Sequence, residues 1–195
     1  LVAASQSRGY NGQALTNSGF TYTQDVLAEG DVLTATVEGT ITDFGKADNK
    51  VTGYKVMRGE TDVTANYTLG DSVDGELEIT KRPVTFTAVS ETRDYTGSEI
   101  EINGLKVTET ADNVGLVSGH THNVTFSAKG TEASTTPYEG TITAKEAVVI
   151  KAGTGEDAAN VTANYDITVT NGTLTIGKYP AQITVTPASD HKEYD

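Results

Sequence analysis

The sequence predicts an all-β protein, and two observations carry that prediction. The 195-residue chain holds 33 Thr, 19 Val and 9 Ile but only 9 Leu, and β-branched side chains fit a pleated sheet better than a helix. Apolar and polar residues also alternate with a period of two along many short runs, which is the pattern of half-buried strands. We expect tandem antiparallel β-sandwiches of the Ig-like type, placed end to end, with about seven strands each. Repeats of a β-grasp-like kind, with one short helix, are the alternative.

A long internal repeat organises these strands. The string VTANYT begins at Val63 and VTANYD begins at Val161. Each is followed by a closing segment, GELEITKRP ending at Pro83 and GTLTIGKYP ending at Pro180. The two prolines lie 97 residues apart, which is long enough for a domain that folds alone.

The repeat predicts the domain organisation. We expect a first β domain over residues 1–83, a second over 84–180, and the opening strand of a third over 181–195. Pro83 and Pro180 mark the seams, because proline lacks the N–H that a central strand needs. The links are so short that neighbouring domains should touch and form a semi-rigid array. We expect the chain to be part of a longer protein.

Within each repeat the alternation locates strands, turns and a helical turn. Strands are expected at 33–37, 51–57 and 77–79 in the first repeat, and at 124–128, 165–169 and 174–176 in the second. Asp74-Gly75 and Asn171-Gly172 suit two-residue type I′ turns, which predicts that 66–73 and 76–80 are antiparallel neighbours. A short helical turn is expected over 61–66 and over 156–164, with Asp62 and Asp157 as N-caps.

The second repeat is longer in its middle. Tyr10 and Tyr67 are 57 residues apart, whereas Tyr95 and Tyr165 are 70 apart. The additional residues are expected in loops around 110–119, 131–137 and 151–157. Because loops carry function more often than the strands they connect, a special role of this repeat is sought there.

The charge of the chain excludes several partners. The formal net charge is −13, so no basic surface is available for nucleic acid or for an anionic membrane. Solubility explains the acidity, and calcium binding in turns is the alternative. The acidic pairs considered for calcium are Glu29 with Asp31, Asp71 with Asp74, and Glu156 with Asp157. No apolar run approaches the roughly 18–20 residues of a membrane span, so we expect no membrane insertion by this chain.

The chemistry of catalysis is poorly represented, and we expect no enzyme and no cofactor. There is no Cys, only three His residues, and no Gly-x-Ser-x-Gly elbow. His120-x-His122 resembles half of a metal site but lacks a third local ligand, so a solvated loop is expected.

Exposed aromatic rings would bind sugars. The candidate ligand contacts are therefore Tyr22, Tyr138, His120 and His122.

Other residues recur in register and are interpreted as parts of the repeat fold. A tyrosine that recurs within one chain suits a packed corner whose hydroxyl bonds to the backbone. This structural set comprises Tyr10, Gly12, Tyr95, Gly97, Asn66, Tyr67, Asn164, Tyr165, Gly75, Gly172, Pro83 and Pro180. Whether a Lys–Asn isopeptide bond also forms is left open by the sequence.

In order along the chain, these motifs resemble the MBG/YDG-type tandem repeats of bacterial cell-surface, adhesin-like proteins. The motifs are Tyr10-Asn11-Gly12 and Tyr95-Thr96-Gly97, Gly30-Asp31, the box Asp62–Tyr67, and the closing segment Gly75–Pro83. The second repeat departs from this pattern with Gly119-His120 in place of Gly-Asp and with Asn160 in place of the Asp of the box. The resemblance implies secretion, display at the bacterial cell wall, and no catalytic residue.

Three functions follow as hypotheses. The first is a semi-rigid stalk or spacer that displays an adhesive tip, with neighbouring repeats of the same chain as its partners. The second is a direct adhesin that binds a host glycan or a mucin-like glycoprotein. The third is an accessory module of a secreted enzyme.

Overall fold

The protein is built almost wholly from strands. The computed structural model describes residues 1–23, 26–192 and 194. Strands make up 46% of the structure and helix only 5%, so the predicted all-β class is confirmed. Within these residues no helix is long and apolar enough to cross a membrane.

Most of the strands are short. The longest described strand has 14 residues and lies in the first repeat. Those of the first repeat are β1 Val2–Ala3, β2 Gln6–Gly9, β3 Phe20–Thr21, β4 Asp31–Glu38, β5 Gly45–Arg58, β6 Thr61–Asp62 and β7 Gly75–Thr80. Those of the second repeat are β8 Arg82–Ala88, β9 Glu91–Asp94, β10 Ile100–Ile102, β11 Leu105–Val107, β12 His120–His122, β13 Phe126–Gly130, β14 Tyr138–Glu139, β15 Thr141–Ile142, β16 Ile150–Ala152, β17 Ala159–Asn160, β18 Tyr165–Thr170 and β19 Thr173–Gly177. Three 3-10 helices lie at Thr64–Asn66, Lys145–Ala147 and Thr162–Asn164.

The chain divides into two compact units, each assembled from three stretches of sequence. The first unit comprises Leu1–Phe86, Val107–Val124 and Ala144–Thr168. The second comprises Thr87–Lys106, Thr125–Thr143 and the residues from Val169 onward. The first unit therefore contains the whole first repeat together with part of the second, and the domain boundaries at Pro83 and Pro180 stay predictions.

The first unit contains the largest sheet. Its strands run in the order β2-β7-β5-β4, with β6 added to β5. Strand β2 pairs parallel to β7, while β5 pairs antiparallel to both β7 and β4. Leu77 and Ile79 of β7 are wholly buried, as their alternation with Glu76, Glu78 and Thr80 predicts. Smaller sheets of this unit are β1-β3 and β12-β16-β17.

The second unit repeats part of this plan. Strand β9 pairs parallel to β19, and β14 pairs antiparallel to β19, which matches the arrangement of β2, β7 and β5. A second sheet has the order β10-β13-β15. The core of this unit consists of Ala88, Ile102, Phe126, Ala128, Leu174 and Ile176. The strands predicted at 124–128 and 174–176 thus supply core residues as expected.

The predicted type I′ hairpins are wrong. Strand β7 pairs with β2 and β5, and residues 67–72 form no strand. Neither Asp74-Gly75 nor Asn171-Gly172 has the positive φ that a type I′ turn requires. The glycines serve close backbone approach instead. A Cβ on Gly75 would lie 2.3 Å from the Ala4 carbonyl oxygen, and one on Gly172 would lie 2.2 Å from the Val89 carbonyl oxygen.

The predicted helical turns exist, but their capping differs from the expectation. Each is a three-residue 3-10 helix without a side-chain cap on the residue that precedes it. The Asp62 carboxylate accepts a bond from the Thr64 N–H, and Asn160 does the same for Thr162, each at 3.0 Å. Asn160 therefore replaces Asp157, because the turn needs an acceptor two residues before the threonine.

Residues 181–192 and 194 lie in no strand. Ile183 is 92% exposed and Val185 is 82% exposed. An isolated extended segment has no partner for its backbone, so it does not persist as a strand. The assignment of this segment to a third repeat stays a prediction.

Candidate functional site

Repeat-equivalent residues share the same local geometry. The Tyr10 N–H donates to the Thr80 carbonyl at 2.9 Å, and the Tyr95 N–H donates to the Gly177 carbonyl at the same distance. Each tyrosine follows the strand that pairs parallel to the closing strand of its repeat. The aromatic residue that opens each repeat is therefore fixed by the strand that closes it.

The Val-Thr-Ala-Asn turn is built in the same way twice. Val63 and Val161 have almost identical backbone angles, with φ of −114° and −118°. The Thr64 hydroxyl accepts from the Val56 N–H at 2.9 Å, and the Thr162 hydroxyl accepts from the Ile150 N–H at 2.8 Å. The box thus has the same local geometry in both repeats, and its structural role stays a prediction.

The tyrosine after each turn bonds through its hydroxyl to the Gly-Asp or Gly-His pair. Tyr67 donates to the Asp31 carboxylate at 2.6 Å and accepts from the Ala28 N–H at 2.9 Å. The Tyr165 hydroxyl lies 2.7 Å from His120 Nδ1 and accepts from the Val117 N–H at 3.1 Å. Gly30 and Gly119 both have φ of +83°, a value that glycine adopts without strain.

The two repeats differ in what covers this tyrosine. In the first unit, the ring of Tyr10 packs edge-on against the ring of Tyr165, with centroids 5.7 Å apart. His120 completes the cluster at 6.1 Å from Tyr10 and 6.0 Å from Tyr165. Tyr10 is 2% exposed and Tyr165 is 3% exposed. Residues of both repeats therefore form one aromatic cluster, which we call the junction cluster.

An asparagine clamps a loop of the first repeat beside the junction cluster. The Asn164 amide oxygen accepts from the Phe44 N–H at 2.6 Å, and its nitrogen donates to the Asp43 carboxylate at 2.8 Å. Asn164 is 3% exposed. Its counterpart Asn66 is exposed. A buried amide with both ends bonded holds the Asp43–Phe44 loop in one position.

Arg82 contributes the other fixed point. It is 5% exposed, and its guanidinium donates to the carbonyls of Gly115, Ala111 and Val114 at 2.5 to 2.7 Å. A longer bond of 3.4 Å reaches the Tyr10 carbonyl. Arginine suits this place because its planar fork presents five donors. The longer loop predicted around 110–119 thus supplies acceptors to the residue that precedes Pro83.

Burial changes the acidity of the junction cluster. Burial raises the pKa of the Tyr10 and Tyr165 phenols. Burial, and next the positive charge of Arg82, lowers the pKa of His120. The lowered pKa favours the neutral imidazole, whose Nδ1 can accept a hydrogen bond from the Tyr165 hydroxyl. The junction cluster holds segments of both repeats together, and the Tyr165 hydroxyl and the His120 ring bond to each other.

Two of the four predicted ligand contacts are also engaged internally. The Tyr138 hydroxyl donates to the Glu132 carbonyl at 2.8 Å, and its ring packs on the core of the second unit. The His122 ring lies 4.8 Å from the Phe86 ring, and its Nδ1 accepts from the Val124 N–H. The structure therefore places Tyr138 and His122, like His120, among packing residues.

Tyr22 lies differently, at a cavity of the first repeat. The cavity has a volume of about 350 Å³ and its wall includes Tyr22, Tyr54, Tyr67, Leu33 and Leu69. The ring of Tyr22 stacks on Phe20 with centroids 6.3 Å apart. Three tyrosines at one apolar cavity offer the stacking faces that sugar rings use. Tyr22 therefore remains a candidate ligand contact.

The structure also bears on metal and cross-link chemistry. In residues 1–23, 26–192 and 194, no group of three or more His, Asp or Glu side chains is placed to hold a metal ion. Asp31, considered for calcium, bonds through both oxygens to Arg58 at 2.6 and 2.9 Å. None of the described lysines is buried, whereas an isopeptide bond needs a buried lysine.

Sequence reasoning missed the residues that fix the junction cluster. Arg82 precedes a seam proline, and the repeat pattern singles out only Pro83 there. Asp43 and Phe44 lie in a loop without a repeated motif. The closing segments differ as KRP and KYP. This difference was the one available signal, because a tyrosine cannot donate hydrogen bonds to several carbonyls as an arginine does. Comparison of the chain with protein-family models, curated proteins and solved structures gives no match.

Proposed function

We propose that this chain is a non-catalytic, semi-rigid spacer built from repeats and displayed by a bacterial surface protein. The observation that carries the proposal is the burial of Arg82, whose guanidinium bonds to carbonyls of both repeats. Asn164 adds a second, independent bond pair to the loop at Asp43. Two buried polar anchors flanking an aromatic cluster restrict rotation about the one-residue link between β7 and β8.

The surface location rests on the sequence alone. The resemblance to MBG/YDG-type repeats supports secretion and wall display, and the Ig-like arrangement of each repeat belongs to the same proposal. A spacer needs no cofactor, and its partners are neighbouring repeats. The net charge of −13 supports solubility of a long array.

The experiment measures the width of an interspin distance distribution. Because the chain has no Cys, spin labels can be placed by Lys50→Cys on β5 and Asp166→Cys on β18, both exposed residues of the first unit. We expect a narrow distribution that broadens when Asn164→Ala and Arg82→Ala are combined. The exposed exchange Lys46→Ala serves as the control and should leave the width unchanged. A broad distribution in the parent protein would overturn the proposal.

A direct adhesin is the second candidate, and the cavity at Tyr22 favours it. Its volume of about 350 Å³ lies within the range of small-molecule sites. Tyr22→Ala should abolish binding of the parent to a mucin-type glycan, while Tyr179→Ala, which changes an exposed tyrosine, should not. Absence of glycan binding by the parent protein would remove this candidate.

A further inference from the structure

The chain contains three Asn-Gly pairs, and such a pair can convert its own side-chain amide without an enzyme. The pairs are Asn11-Gly12, Asn103-Gly104 and Asn171-Gly172. In each pair, the backbone nitrogen of the glycine can attack the side-chain Cγ of the asparagine before it. Glycine permits this attack because it has no Cβ to block the approach and because its backbone adopts many conformations. The surroundings of each pair decide which asparagine is free to react in the folded protein.

Two of the three asparagines are held by hydrogen bonds of their side chains. The Asn11 Oδ1 accepts from the Gln13 N–H at 3.0 Å, which fixes that side chain in a local turn. The Asn171 Nδ2 donates to the Gly140 carbonyl at 2.8 Å, and Gly172 is buried. Rotation of either side chain toward the following backbone nitrogen breaks its hydrogen bond, so the reaction at these two pairs needs a local opening of the fold.

The third asparagine, Asn103, is placed differently. It is exposed, and with Gly104 it forms the two-residue link between β10 and β11. Its side chain makes no hydrogen bond to any other residue that the structure describes. Over the same residues, the Gly104 N–H has no acceptor. The attacking nitrogen and the amide that it attacks are therefore both available without any opening of the fold.

We propose that Asn103-Gly104 is a site of spontaneous deamidation, which modifies the second unit as the protein ages. The Gly104 nitrogen loses its proton and forms a bond to Asn103 Cγ, while the bond from Cγ to Nδ2 breaks and ammonia leaves. Water then opens the resulting five-membered imide at either of its two carbonyl carbons. The product at position 103 is an aspartyl or an isoaspartyl residue. The net reaction consumes water, releases ammonia and exchanges an amide for a carboxylate.

The isoaspartyl product should loosen the second unit. Its side-chain CH₂ becomes part of the main chain, which lengthens the path between Ile102 and Gly104. Ile102 is a buried core residue, and the Gly104 carbonyl accepts from the Val89 N–H at 2.9 Å. A Cβ on Gly104 would lie 2.5 Å from Val89 Cγ2, so the chain has little room to move there. This inference is independent of the proposed function, because the reaction needs neither a partner nor a particular location.

Mass spectrometry over time tests the site with the intact chain. The protein is incubated folded at neutral pH and, in parallel, unfolded in guanidinium chloride, and both samples are digested with trypsin. The three pairs lie in different tryptic peptides, 9–46, 94–106 and 152–178, so one digest reports the conversion of each. In the folded protein, we expect Asn103 to convert at least about tenfold faster than Asn11 and Asn171, which need a local opening. In guanidinium chloride the three rates should be similar, because the fold no longer protects any pair.

Asn103→Gln is the matched variant, because its longer side chain would have to close a six-membered ring, which forms far more slowly. Peptide 94–106 should then no longer convert, while the other two peptides keep their rates. Equal rates at the three pairs in the folded protein, or a slower rate at Asn103, would overturn the proposal.

The stability of the product tests the loosening of the second unit. The isoaspartyl form, separated from the parent by ion exchange, should unfold at a lower temperature than the parent. Freshly prepared Asn103→Asp carries the added charge without the lengthened main chain, and it should unfold closer to the parent. An isoaspartyl form as stable as Asn103→Asp would overturn the expected loosening, whereas the rates in the folded protein would still decide whether the site reacts.

Discussion

Arg82 and Tyr179 show how one residue changes the role of a repeated motif. Both precede the proline of a closing segment, in KRP and in KYP. Arg82 is buried and bonded to four carbonyls, whereas Tyr179 is 64% exposed. A buried charge is tolerated only when its donors are satisfied. The carbonyls of the loop at Ala111–Gly115 meet that requirement, so the loop and the arginine depend on each other.

Arg82→Ala should therefore destabilise the protein strongly. The change leaves several carbonyls without a donor, and we expect a loss of about 3 kcal/mol, since a hydrogen bond to a charged group contributes about 1.5–3 kcal/mol. Urea denaturation followed by tyrosine fluorescence measures the loss. Arg93→Ala is the matched control, because Arg93 forms an exposed ion pair with Glu91 that contributes less than about 1 kcal/mol. Equal effects of the two substitutions would contradict the assigned role of Arg82.

His120 gives the junction cluster a dependence on pH. Its pKa is lowered by burial and by Arg82, so the folded protein resists a proton that the unfolded chain accepts. Stability should fall as the pH falls through the ordinary value of 6.5 toward the lower folded value. His122, whose pKa burial also lowers, acts in the same direction. Asp31 acts only in a more acidic range, because hydrogen bonds from Arg58 and Tyr67 lower its pKa from 3.8.

The measurement compares melting temperatures between about pH 7.5 and about pH 5.5. His120→Asn places an amide oxygen near the position of Nδ1, keeps an acceptor for Tyr165, and removes one titrating group. We expect the melting temperature of this variant to fall less over that range than the melting temperature of the parent. No change in slope would show that His120 has the same pKa in the folded protein as in the unfolded chain, and the opposite change would show that folding raises that pKa.

At the scale of elements, Gly75 and Gly172, which precede or begin the closing strands, allow close packing of the backbone. A Cβ on Gly172 or Gly75 would come within 2.3 Å of a carbonyl oxygen. Gly172→Ala and Gly75→Ala should each cost about 1–3 kcal/mol through overpacking. Gly70→Ala is the control, because nothing lies within 4 Å of its Cβ position and its φ is not positive. Thermal unfolding measures all three, and a destabilised Gly70→Ala with an unaffected Gly172→Ala would contradict this account.

The success and failure of the sequence predictions have a physical explanation at this scale. Alternation predicted the buried positions Leu77, Ile79, Leu174 and Ile176, because the side-chain period of a strand is a local property. Strand partners are not local. Strand β7 pairs with β2, more than 65 residues earlier in the chain, and an Asp-Gly pair has the same sequence signature whether it makes a turn or a close approach. The hairpin prediction failed for that reason.

For the candidate site, too, the sequence predicts local features but not contacts between distant residues. The recurrence of the tyrosines and the Val-Thr-Ala-Asn box predicted structural roles for Tyr10, Tyr165 and Asn164. Their mutual contact was not predictable, because it joins residues more than 150 positions apart. Arg82 carried no periodic signal, and its acceptors are backbone carbonyls, which every residue has. A single buried cation bonded to the main chain therefore leaves no periodic pattern, and only the difference between KRP and KYP marks it in the sequence.

For the whole molecule, the sequence repeats and the compact units are different divisions of the chain. The first unit takes in residues 107–124 and 144–168 of the second repeat along with the first repeat. A repeat is defined by its sequence and local geometry, whereas a compact unit is defined by the stretches of chain that pack together. Stability in the first unit should consequently be shared between segments of both repeats, since residues that pack together open together.

Native-state hydrogen exchange tests this sharing. In the parent protein, we expect the Phe44 amide, bonded to Asn164, and the Val117 amide, bonded to Tyr165, to exchange through one opening of equal free energy. Arg82→Ala should lower the protection of both by about tenfold for each 1.4 kcal/mol lost, although Arg82 donates to neither residue. The amide of Val63, bonded to Val56 within the first repeat, serves as the comparison and should lose less protection in the variant. If Arg82→Ala affected only the loop at Ala111–Gly115, the first unit would consist of independently opening parts, and a stiff connection between repeats would lose its physical basis.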